Sequence, residues 1–493
     1  MGITRPIAEH ARRLPGDTGF MFEGRKTTRR DLDQTIARLA AFLAARTPRD
    51  GAVALDLPNG PALAVLFLAA AAAGRDAQIL DSDWPVDTAR SVVTTLNPAL
   101  VITARAGIHD KALIVRGEPS TEEVAEALGA PAEFRRVSEP DPELIFYTGF
   151  TSGSTGLPKG FRRTHRSWIA SFAGAQEEFG IGPADCVFAP GPLSHSMPLY
   201  ALASALHAGA KFALVRGFQA HSALRSIAAN RITVFYTVPA QLGLTIEAAE
   251  AEGTVCHGVR LILCSGSKWP VKLTPRLKKV FPNAVFAEFY GASELSFITL
   301  ARSDERVPKT SVGRAFPGVT VSIRSAGGKK AATGRTGLVF AESALVFSGY
   351  AGGEGDIIRA GEAMSVGDRG FLDKSGFLHL AGRTDRLVIS SGRNIQPEEV
   401  EAVLDRHPAI LASAVFGVED AKRGERLVAM VLVKGGKNPA ASDLAQHLRK
   451  VLPAYKVPGR FAKVEEWPAT RLGKTDYAKV RTLWDDEACE ALE

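Results

Sequence analysis

The sequence predicts an α/β fold, with a large N-terminal domain of mostly parallel sheets flanked by helices and a small C-terminal α+β domain. Short β-branched and aromatic runs alternate with longer helical patterns, as in strands joined by crossover helices. The 493 residues exceed what one hydrophobic core usually holds. After residue 368, turn signals separate short alternating strands. We therefore predict domains of residues 1–384 and 386–493, with Asp385 between them.

The first elements illustrate this alternation. Residues 28–46 have helical spacing, with one apolar face formed by Leu32, Ile36, Leu39 and Leu43. Residues 52–57 then form a compact apolar run that predicts a strand, and an alanine-rich helical pattern follows. A strand followed by a helix is the repeating unit of a parallel sheet.

Three later apolar runs end in loops of small or polar residues. The predicted strands are 232–236, 259–264 and 284–290. Ligands bind beyond the carboxyl ends of parallel strands, so we expect the three loops to form pocket walls. The alternative is that they are ordinary turns, in which glycine and serine are common.

Composition excludes several classes of protein. The 60 Lys and Arg against 53 Asp and Glu give a net charge of +7, which suits a polyanionic small molecule and does not indicate a nucleic-acid partner. Four unclustered cysteines, at 186, 256, 264 and 489, support neither a disulfide framework nor a zinc site. The N-terminus lacks a signal-peptide core, and the longest apolar run, 61–73, is shorter than the roughly 18 to 20 residues of a membrane span. We expect a cytoplasmic protein without a membrane span.

Residues 150–160, FTSGSTGLPKG, predict a phosphate-binding loop. Glycines let backbone N–H groups turn toward an anion, and hydroxyls and a lysine add donors and charge. The alternative, a flexible Ser/Gly linker, fits poorly with the apolar strand just before it. The segment is not a Walker A loop, because the Gly-Lys-Ser/Thr ending is missing. The candidate phosphate ligands are Thr151, Ser152, Gly153, Ser154, Thr155, Gly156 and Lys159.

Four further motifs follow this loop in order: FYGASE (289–294), VGD (366–368), GRTDRLVISSGRNIQPEEVE (382–401) and RLGK (471–474). Together the five segments resemble the adenylate-forming superfamily of acyl-CoA synthetases, carrier-protein adenylation domains and beetle luciferases. The resemblance spans nearly the whole chain. It implies that ATP and a carboxylic acid form an acyl-adenylate and pyrophosphate, and that the acyl group then passes to a thiol, with Mg²⁺ as cofactor and coenzyme A as cosubstrate.

The resemblance also implies roles in the first reaction. Lys474 matches the family's C-terminal catalytic lysine, and Glu294 matches its magnesium-associated glutamate. Ser293 keeps a hydroxyl directed at the α-phosphate where relatives usually have threonine. A positive clamp suits this step because negative charge builds around the α-phosphorus.

The expected nucleotide contacts come from four segments. Tyr290 supplies a flat face for adenine, Asp368 accepts from the ribose hydroxyls and Arg383 is a second contact. The remaining expected contacts are Gly266, Ser267, Gly291 and Ala292. Ser267 and its neighbour Lys268 replace two small residues of the family's pattern. Asp385 matches the hinge about which the small domain rotates, and Gly392 would then leave room for the pantetheine arm.

The acyl site is expected around residues 191–200, GPLSHSMPLY. His195 matches an aromatic or histidine gate, although a structural core histidine is the alternative. The segment contains no acid to pair with an amino group, so we favour a plain carboxylic acid, aliphatic and of medium or long chain. Tyr236, Val238 and Gly291 are expected to line the pocket with it.

Basic residues follow the phosphate loop at Arg162, Arg163, His165 and Arg166. They could face pyrophosphate or the CoA phosphates. We favour the other interpretation, that they lie on a solvated helix surface.

The sequence thus predicts an acyl-CoA ligase, monomeric or homodimeric. One alternative is a stand-alone adenylating enzyme that loads an acyl carrier protein. A further alternative is a non-catalytic nucleotide-binding relative, against which the retention of Lys474, Glu294 and the phosphate loop argues.

Overall fold

The computed structural model of the chain describes residues 2–151, 158–325, 327–353, 357–390, 393–420, 424–437, 439–470 and 475–492. Within these ranges, no helix is long and apolar enough to cross a membrane. The α-helices are α1 (Arg5–Arg13), α2 (Arg29–Arg46), α3 (Pro61–Ala72), α4 (Val86–Leu96), α5 (Glu123–Ala127), α6 (His165–Phe179), α7 (Ser196–His207), α8 (Ala220–Ala229), α9 (Pro239–Glu252), α10 (Thr274–Val280), α11 (Pro397–Leu404), α12 (Ala441–Arg449) and α13 (Tyr477–Asp485).

The strands β1 to β15 lie between residues 18 and 315. They are β1 (Thr18–Phe22), β2 (Arg25–Thr28), β3 (Ala52–Asp56), β4 (Asp76–Ile79), β5 (Leu100–Thr103), β6 (Leu113–Ile114), β7 (Ile145–Thr151), β8 (Lys159–Thr164), β9 (Cys186–Phe188), β10 (Lys211–Leu214), β11 (Val234–Thr237), β12 (Leu261–Cys264), β13 (Val285–Ala292), β14 (Ser296–Arg302) and β15 (Arg314–Ala315).

The strands after residue 315 pair mostly in antiparallel fashion. They are β16 (Val319–Arg324), β17 (Gly337–Ser343), β18 (Gly349–Ala351), β19 (Ile358–Ala360), β20 (Ala363–Ser365), β21 (Asp368–Leu372), β22 (Leu378–Arg383), β23 (Val388–Ser390), β24 (Arg393–Ile395), β25 (Ile410–Asp420), β26 (Gly424–Val433), β27 (Arg460–Val464) and β28 (Glu490–Ala491). Two short 3₁₀ turns, at 271–273 and 454–456, complete the regular structure of the described residues.

Two sheets have parallel centres and antiparallel edges. In the first, the strand order is β15-β14-β13-β12-β11-β9-β10-β1-β2, and the strands from β13 to β1 are parallel to one another. In the second, the order is β18-β8-β7-β4-β3-β5-β6, and β7 through β6 are parallel. The predicted α/β class is confirmed, and the parallel strands place their carboxyl ends at one edge of each sheet.

The other two sheets are largely antiparallel. The third pairs β16 and β17 with β19 to β22. The fourth, formed by β23 to β28, contains one parallel pair, β26 with β27. The residues after 385 have their own apolar cluster, in which Val400, Leu404, Leu444 and Leu448 pack on this sheet. The division at Asp385 stays a prediction, and it coincides with the turn between β22 and β23.

Local sequence explains the individual elements. The hydroxyl of Thr28 accepts a hydrogen bond from the backbone N–H of Asp31, which caps α2 one residue after the predicted start. Helix α3 is apolar on every face and is buried throughout its length except at its last residue, as a helix between layers must be. The three strands predicted near 232, 259 and 284 are β11, β12 and β13, which are adjacent in the first sheet.

Candidate active site

A cavity of about 600 Å³ lies where the two parallel sheets meet. Its walls include the segments that follow β11, β12 and the glycine of β13: Val238, Ser265, Gly266, Gly291, Ala292 and Ser293. The prediction that these three strand ends form pocket walls is confirmed. The volume is within the range of small-molecule sites, roughly 300 to 1,000 Å³.

The phosphate-loop prediction falls partly outside the described residues. Thr151 lines the cavity at the end of β7 and is paired across the antiparallel strands with Lys159, the first residue of β8. Of the remaining predicted phosphate contacts, Ser152, Gly153, Ser154, Thr155 and Gly156 lie outside the part of the chain that the structure describes, as do Lys474 and Gly392. Their roles stay predictions.

The small domain contributes Thr470 to the cavity wall. The described chain resumes at Thr475, which forms an isolated antiparallel bridge with Ala469. Residues 471–474 are therefore flanked on one side by a residue that faces the cavity. This position of Thr470 is compatible with a role for Lys474 at the same site.

Strand β13 includes residues 289–292, and residues 293–295 turn from it into β14. The pairing shifts register between Tyr290 and Gly291, and a Cβ on Gly291 would lie 2.1 Å from the carbonyl oxygen of Ser296. Only glycine fits this close approach of two backbones. The segment that sequence analysis treated as a loop after Tyr290 therefore continues as strand through Ala292, because β14 pairs with it.

Ser293 and Glu294 are anchored by bonds from distant parts of the chain. The Ser293 hydroxyl shares a hydrogen bond of 3.1 Å with that of Ser196, at the start of α7. The Tyr350 hydroxyl donates to Oε1 of Glu294 over 3.0 Å, and the N–H of Phe347 donates to the Glu294 carbonyl over 2.7 Å. The expected α-phosphate and magnesium residues thus have fixed positions beside each other.

Arg163 also holds Ser293 in place. The sequence did not predict it as a site residue. Its Nη1 donates to the Ser293 carbonyl over 3.0 Å, its Nη2 donates to the Leu345 carbonyl, and its Nε donates to the hydroxyl of Ser167 over 3.2 Å. The residue is 3% exposed and lines the cavity. Burial lowers the pKa of its guanidinium to about 10, so it still carries a positive charge at neutral pH.

The preferred interpretation of the basic cluster is therefore wrong for two of its members. Arg163 and His165 are buried, and burial lowers the pKa of His165 to about 3. Arg166, by contrast, is exposed and forms an ion pair with Glu143. The missed signal is the strand period: residues 161 and 163 of β8 both point inward, because this segment is a strand and the helix begins only at His165.

The expected nucleotide residues come together across two sheets. The Tyr290 hydroxyl donates to Oδ2 of Asp368 over 2.5 Å, and Asp368 is paired with Arg383 across β21 and β22. Nε of Arg383 lies 3.9 Å from Oδ1 of Asp368 and donates to Oδ1 of Asp385 over 3.0 Å. Burial and the Asp368 carboxylate raise the pKa of Tyr290 well above its usual value, so its hydroxyl remains a donor.

Ser267 and Lys268 replace two small residues of the family's pattern, and the structure shows what the lysine does there. Nζ of Lys268 donates to Oε2 of Glu288 over 2.8 Å and to the carbonyl of Ser311 over 2.5 Å. The lysine is thereby bound to β13 and to the segment before β15. Gly266 adopts φ +102° and lines the cavity, whereas the neighbouring Ser267 is exposed.

The part of the cavity expected to hold the acyl group is aromatic. His195, which precedes α7, lines the cavity, and so do Tyr236 and Val238, whose roles toward an acyl group stay predictions. Trp168 contacts Tyr147 and Tyr200 with ring-centroid distances of 5.5 and 5.4 Å. These walls come from β7, α6, α7 and β11, and their edge-to-face contacts hold the rings in place.

Comparison with known proteins agrees with this geometry. The model of the AMP-binding enzyme family matches residues 7–351, and that of the AMP-binding enzyme C-terminal domain matches residues 399–474. The chain is 34% identical to the uncharacterized acyl-CoA ligase YhfT of Bacillus subtilis (strain 168), over 99% of this chain and 100% of the relative. It is 30% identical to the putative long chain fatty acid-CoA ligase VraA of Staphylococcus haemolyticus (strain JCSC1435), over 69% of this chain and 70% of the relative.

Solved structures share the fold. The ATP-bound MatB of Rhodopseudomonas palustris superposes with a TM-score of 0.88 at 23% identity, covering 99% of this chain and 100% of the other. Family matches over most of the length, together with the similarity to named acyl-CoA ligases, are decisive. The chain belongs to the adenylate-forming AMP-binding enzymes, of the acyl-CoA synthetase type.

Proposed function

We propose that this enzyme activates a carboxylic acid with ATP and transfers the resulting acyl group from AMP to the thiol of coenzyme A. The observation that carries the proposal is the convergence of Ser293, Gly291 and Thr470 on one cavity, with Glu294 fixed next to Ser293. Thr470 directly precedes the segment that contains Lys474. The named acyl-CoA ligases among the relatives support the same reaction class.

In the first reaction, a carboxylate oxygen of the acid attacks the α-phosphorus of ATP and pyrophosphate leaves. Negative charge grows on the α-phosphate oxygens, so donors already in place lower the barrier. Ser293 would donate its hydroxyl and Lys474 its charge. Tyr290 and Asp368 would hold the nucleoside, and the bond between them fixes the carboxylate orientation before ATP arrives.

Glu294 suits a magnesium ion. Its side chain is 9% exposed, and Oε1 accepts from the neutral hydroxyl of Tyr350, so within the described residues no ion pair cancels its charge. Mg²⁺ in nucleotide sites commonly takes one or two carboxylates together with phosphate oxygens. Glu294 would supply the carboxylate, and the ion would neutralise charge on the phosphates.

The second reaction requires a thiol to reach the acyl-adenylate. Asp385 lies in an exposed turn between β22 and β23, where a change of backbone dihedrals would rotate the small domain. We propose that this rotation removes Thr470 and Lys474 from the cavity and brings the segment around Gly392 toward it. An acyl carrier protein would require the same rotation and is the alternative acceptor.

The test is pyrophosphate release by the purified chain with ATP, Mg²⁺ and a panel of acids. We expect release that depends on an acid, and we expect Lys474→Ala to reduce the rate at least about 100-fold, as for the loss of a transition-state donor. Lys450→Ala, at an exposed lysine of the same domain, is the matched control and should leave the rate unchanged. Equal rates in the two variants would contradict the role of Lys474.

The acceptor is identified in the same assay. Formation of an acyl-CoA thioester on addition of CoA would support the ligase, whereas acid-dependent pyrophosphate release without thioester formation would favour a carrier protein. If no acid of the panel gives pyrophosphate release, the catalytic proposal is contradicted for that panel.

A further inference from the structure

Arg386 follows the predicted hinge residue Asp385, and its side chain binds to the small domain. Nη1 donates to Oε1 of Glu398 over 2.9 Å, and Nη2 donates to Oε1 of Glu401 over 2.6 Å and to the Val415 carbonyl over 3.0 Å. The side chain is 15% exposed. Charge-assisted bonds from both arms of a guanidinium fix its orientation. The first residue after the hinge is therefore tied to α11 and β25.

The same guanidinium stacks on Tyr477, the first residue of α13. Its Cζ lies 3.7 Å from the centroid of the phenol ring. A guanidinium in this position is attracted by the negative face of the ring. The phenol hydroxyl lies 3.4 and 3.3 Å from Oε1 and Oε2 of Glu401 and donates to this carboxylate. Arg386 and Glu401 thus hold the start of α13 against α11.

Tyr477 lies only three residues after Lys474. On the other side of the lysine, Thr470 lines the cavity. Ala469 and Thr475 form an antiparallel bridge, so the chain before and after the segment that contains Lys474 is held together. The contacts of Tyr477 therefore act on the described residues closest to the predicted catalytic lysine.

Apolar packing does not hold the first turn of α13. The body of this helix packs through Val480, which lies in an apolar cluster with Ala414 and Met430. Tyr477, by contrast, is 37% exposed, and its ring packs on the guanidinium of Arg386. The direction in which the chain enters α13 thus depends on the Arg386–Tyr477 pair, whereas the stability of the helix depends mainly on the apolar cluster.

We propose, on the basis of the ligase function above, that Arg386 and Tyr477 are positioning residues for Lys474. The pair joins the residue after the hinge to the chain just beyond the lysine, so both move as one unit when the small domain rotates. The pair thereby places the ammonium group of Lys474 at the α-phosphate in the first reaction. A misplacement of about 1 Å can reduce a rate about 100-fold, so a contact outside the cavity can control this step.

The experiment compares two substitutions of the same tyrosine. Tyr477→Phe keeps the ring that stacks on Arg386, and Tyr477→Leu removes it. In Tyr477→Leu we expect kcat for pyrophosphate release to fall about 10-fold, with the KM values for ATP and the acid changed less than about twofold. Tyr477→Phe should retain the natural kcat within about twofold.

Tyr455→Leu is the matched control. Tyr455 is an exposed tyrosine of the small domain, and its ring also contacts a guanidinium, that of Arg393, at 4.6 Å. This substitution removes a comparable stacking contact that is not adjacent to Lys474 in the chain, so pyrophosphate release should be unchanged. A natural kcat in Tyr477→Leu, or an equal loss in Tyr455→Leu, would overturn the inference.

A double variant separates positioning from a structural role. In the Lys474→Ala background, Tyr477→Leu should cause no further loss of the residual rate, because the group that the tyrosine positions is already absent. A second loss of about 10-fold there would show that Tyr477 supports the fold alone, and would overturn the inference while leaving the ligase function intact. A natural rate in Lys474→Ala itself would instead contradict the proposed role of the lysine, and the inference with it.

Discussion

The region expected to hold the nucleotide, the nucleotide side, and the region expected to hold the acyl group, the acyl side, differ in how their tyrosine hydroxyls are held. On the nucleotide side, the hydroxyl of Tyr290 is bonded to Asp368, and that of Tyr350 is bonded to Glu294. On the acyl side, the hydroxyls of Tyr147, Tyr200 and Tyr236 are buried next to serine hydroxyls, and no described carboxylate is bonded to them. Five buried or half-buried tyrosines thus divide by which substrate they would meet.

The difference concerns what each side must recognise. On the nucleotide side, tyrosine hydroxyls orient the carboxylates of Asp368 and Glu294, so under the proposed function little ordering of these groups remains when ATP binds. On the acyl side, the phenol oxygens of Tyr147, Tyr200 and Tyr236 are closed off from solvent, so these residues present their rings to the cavity. A wall of rings offers a ligand mainly apolar contact.

The largest effect is expected at Arg163, which belongs to both sides. Arg163→Met leaves the carbonyls of Ser293 and Leu345 without their donor, which should lower the free energy of unfolding by about 3 kcal/mol. Pyrophosphate release should fall at least about 100-fold because Ser293 loses its anchor. Arg166→Met is the matched control: it removes an exposed ion pair and should change stability by less than about 1 kcal/mol. Urea unfolding and initial rates measure both effects.

Tyr290→Phe should uncouple the nucleotide side alone. The variant keeps the ring that is expected to face adenine and removes the hydrogen bond that orients Asp368. We expect the KM for ATP to rise about 10-fold, a loss of roughly 1.4 kcal/mol, with the KM for the acid unchanged. A change in the KM for the acid alone would contradict the assignment of Tyr290 to the nucleotide side.

Tyr350→Phe should have a smaller effect on activity, because it acts only on the binding of magnesium. Without the phenol, Oε1 of Glu294 loses a donor, and its carboxylate is less fixed. The Mg²⁺ concentration for half-maximal pyrophosphate release should rise about threefold to fivefold, in line with the loss of one supporting bond. An unchanged Mg²⁺ dependence would separate Tyr350 from the metal site.

Asp76 is bonded to the strand that carries Tyr147. A substitution at Asp76 should change the stability of the fold without changing substrate preference. Burial raises the pKa of Asp76 to about 6, and Thr148, next to Tyr147, donates to its carboxylate. The folded state therefore binds the proton more tightly than the unfolded chain, so stability falls as pH rises from about 4 to 6.

Asp76→Asn removes the buried carboxyl, so the loss of stability that accompanies its ionisation is absent. The variant should gain stability relative to the natural chain as pH rises, by roughly 2 kcal/mol between pH 4 and pH 7. Thermal unfolding at several pH values measures the gain. A constant difference across this range would show that Asp76 does not titrate in the native state.

Much of the fold and part of the cavity follow from the sequence. The alternation of strand and helix patterns predicts the parallel sheets, because strands buried on both faces are continuous apolar runs. The loops after β11 and β12 could be placed at the cavity because parallel strands align their carboxyl ends. The motifs of the adenylate-forming family predict which side chains of these segments bind the substrates.

Other features depend on contacts between distant residues. The burial of Arg163 could not be read from a run of basic residues, since its acceptors are carbonyls at positions 293 and 345. The continuation of β13 past Tyr290 depends on its pairing with β14. Likewise, no local pattern shows whether a tyrosine hydroxyl will find a partner, because tertiary packing alone decides it.

The origin of the acyl-side tyrosines has a consequence for engineering. Tyr147, Tyr200 and Tyr236 reach the cavity from β7, α7 and β11, which are separated along the chain by intervening helices and strands. A chimera that exchanges any one of these segments with a relative transfers a single ring of the wall and retains the other two. Under the proposed function, a change of acid preference therefore requires simultaneous changes at several separated positions, and single-segment grafts should yield hybrids of intermediate selectivity.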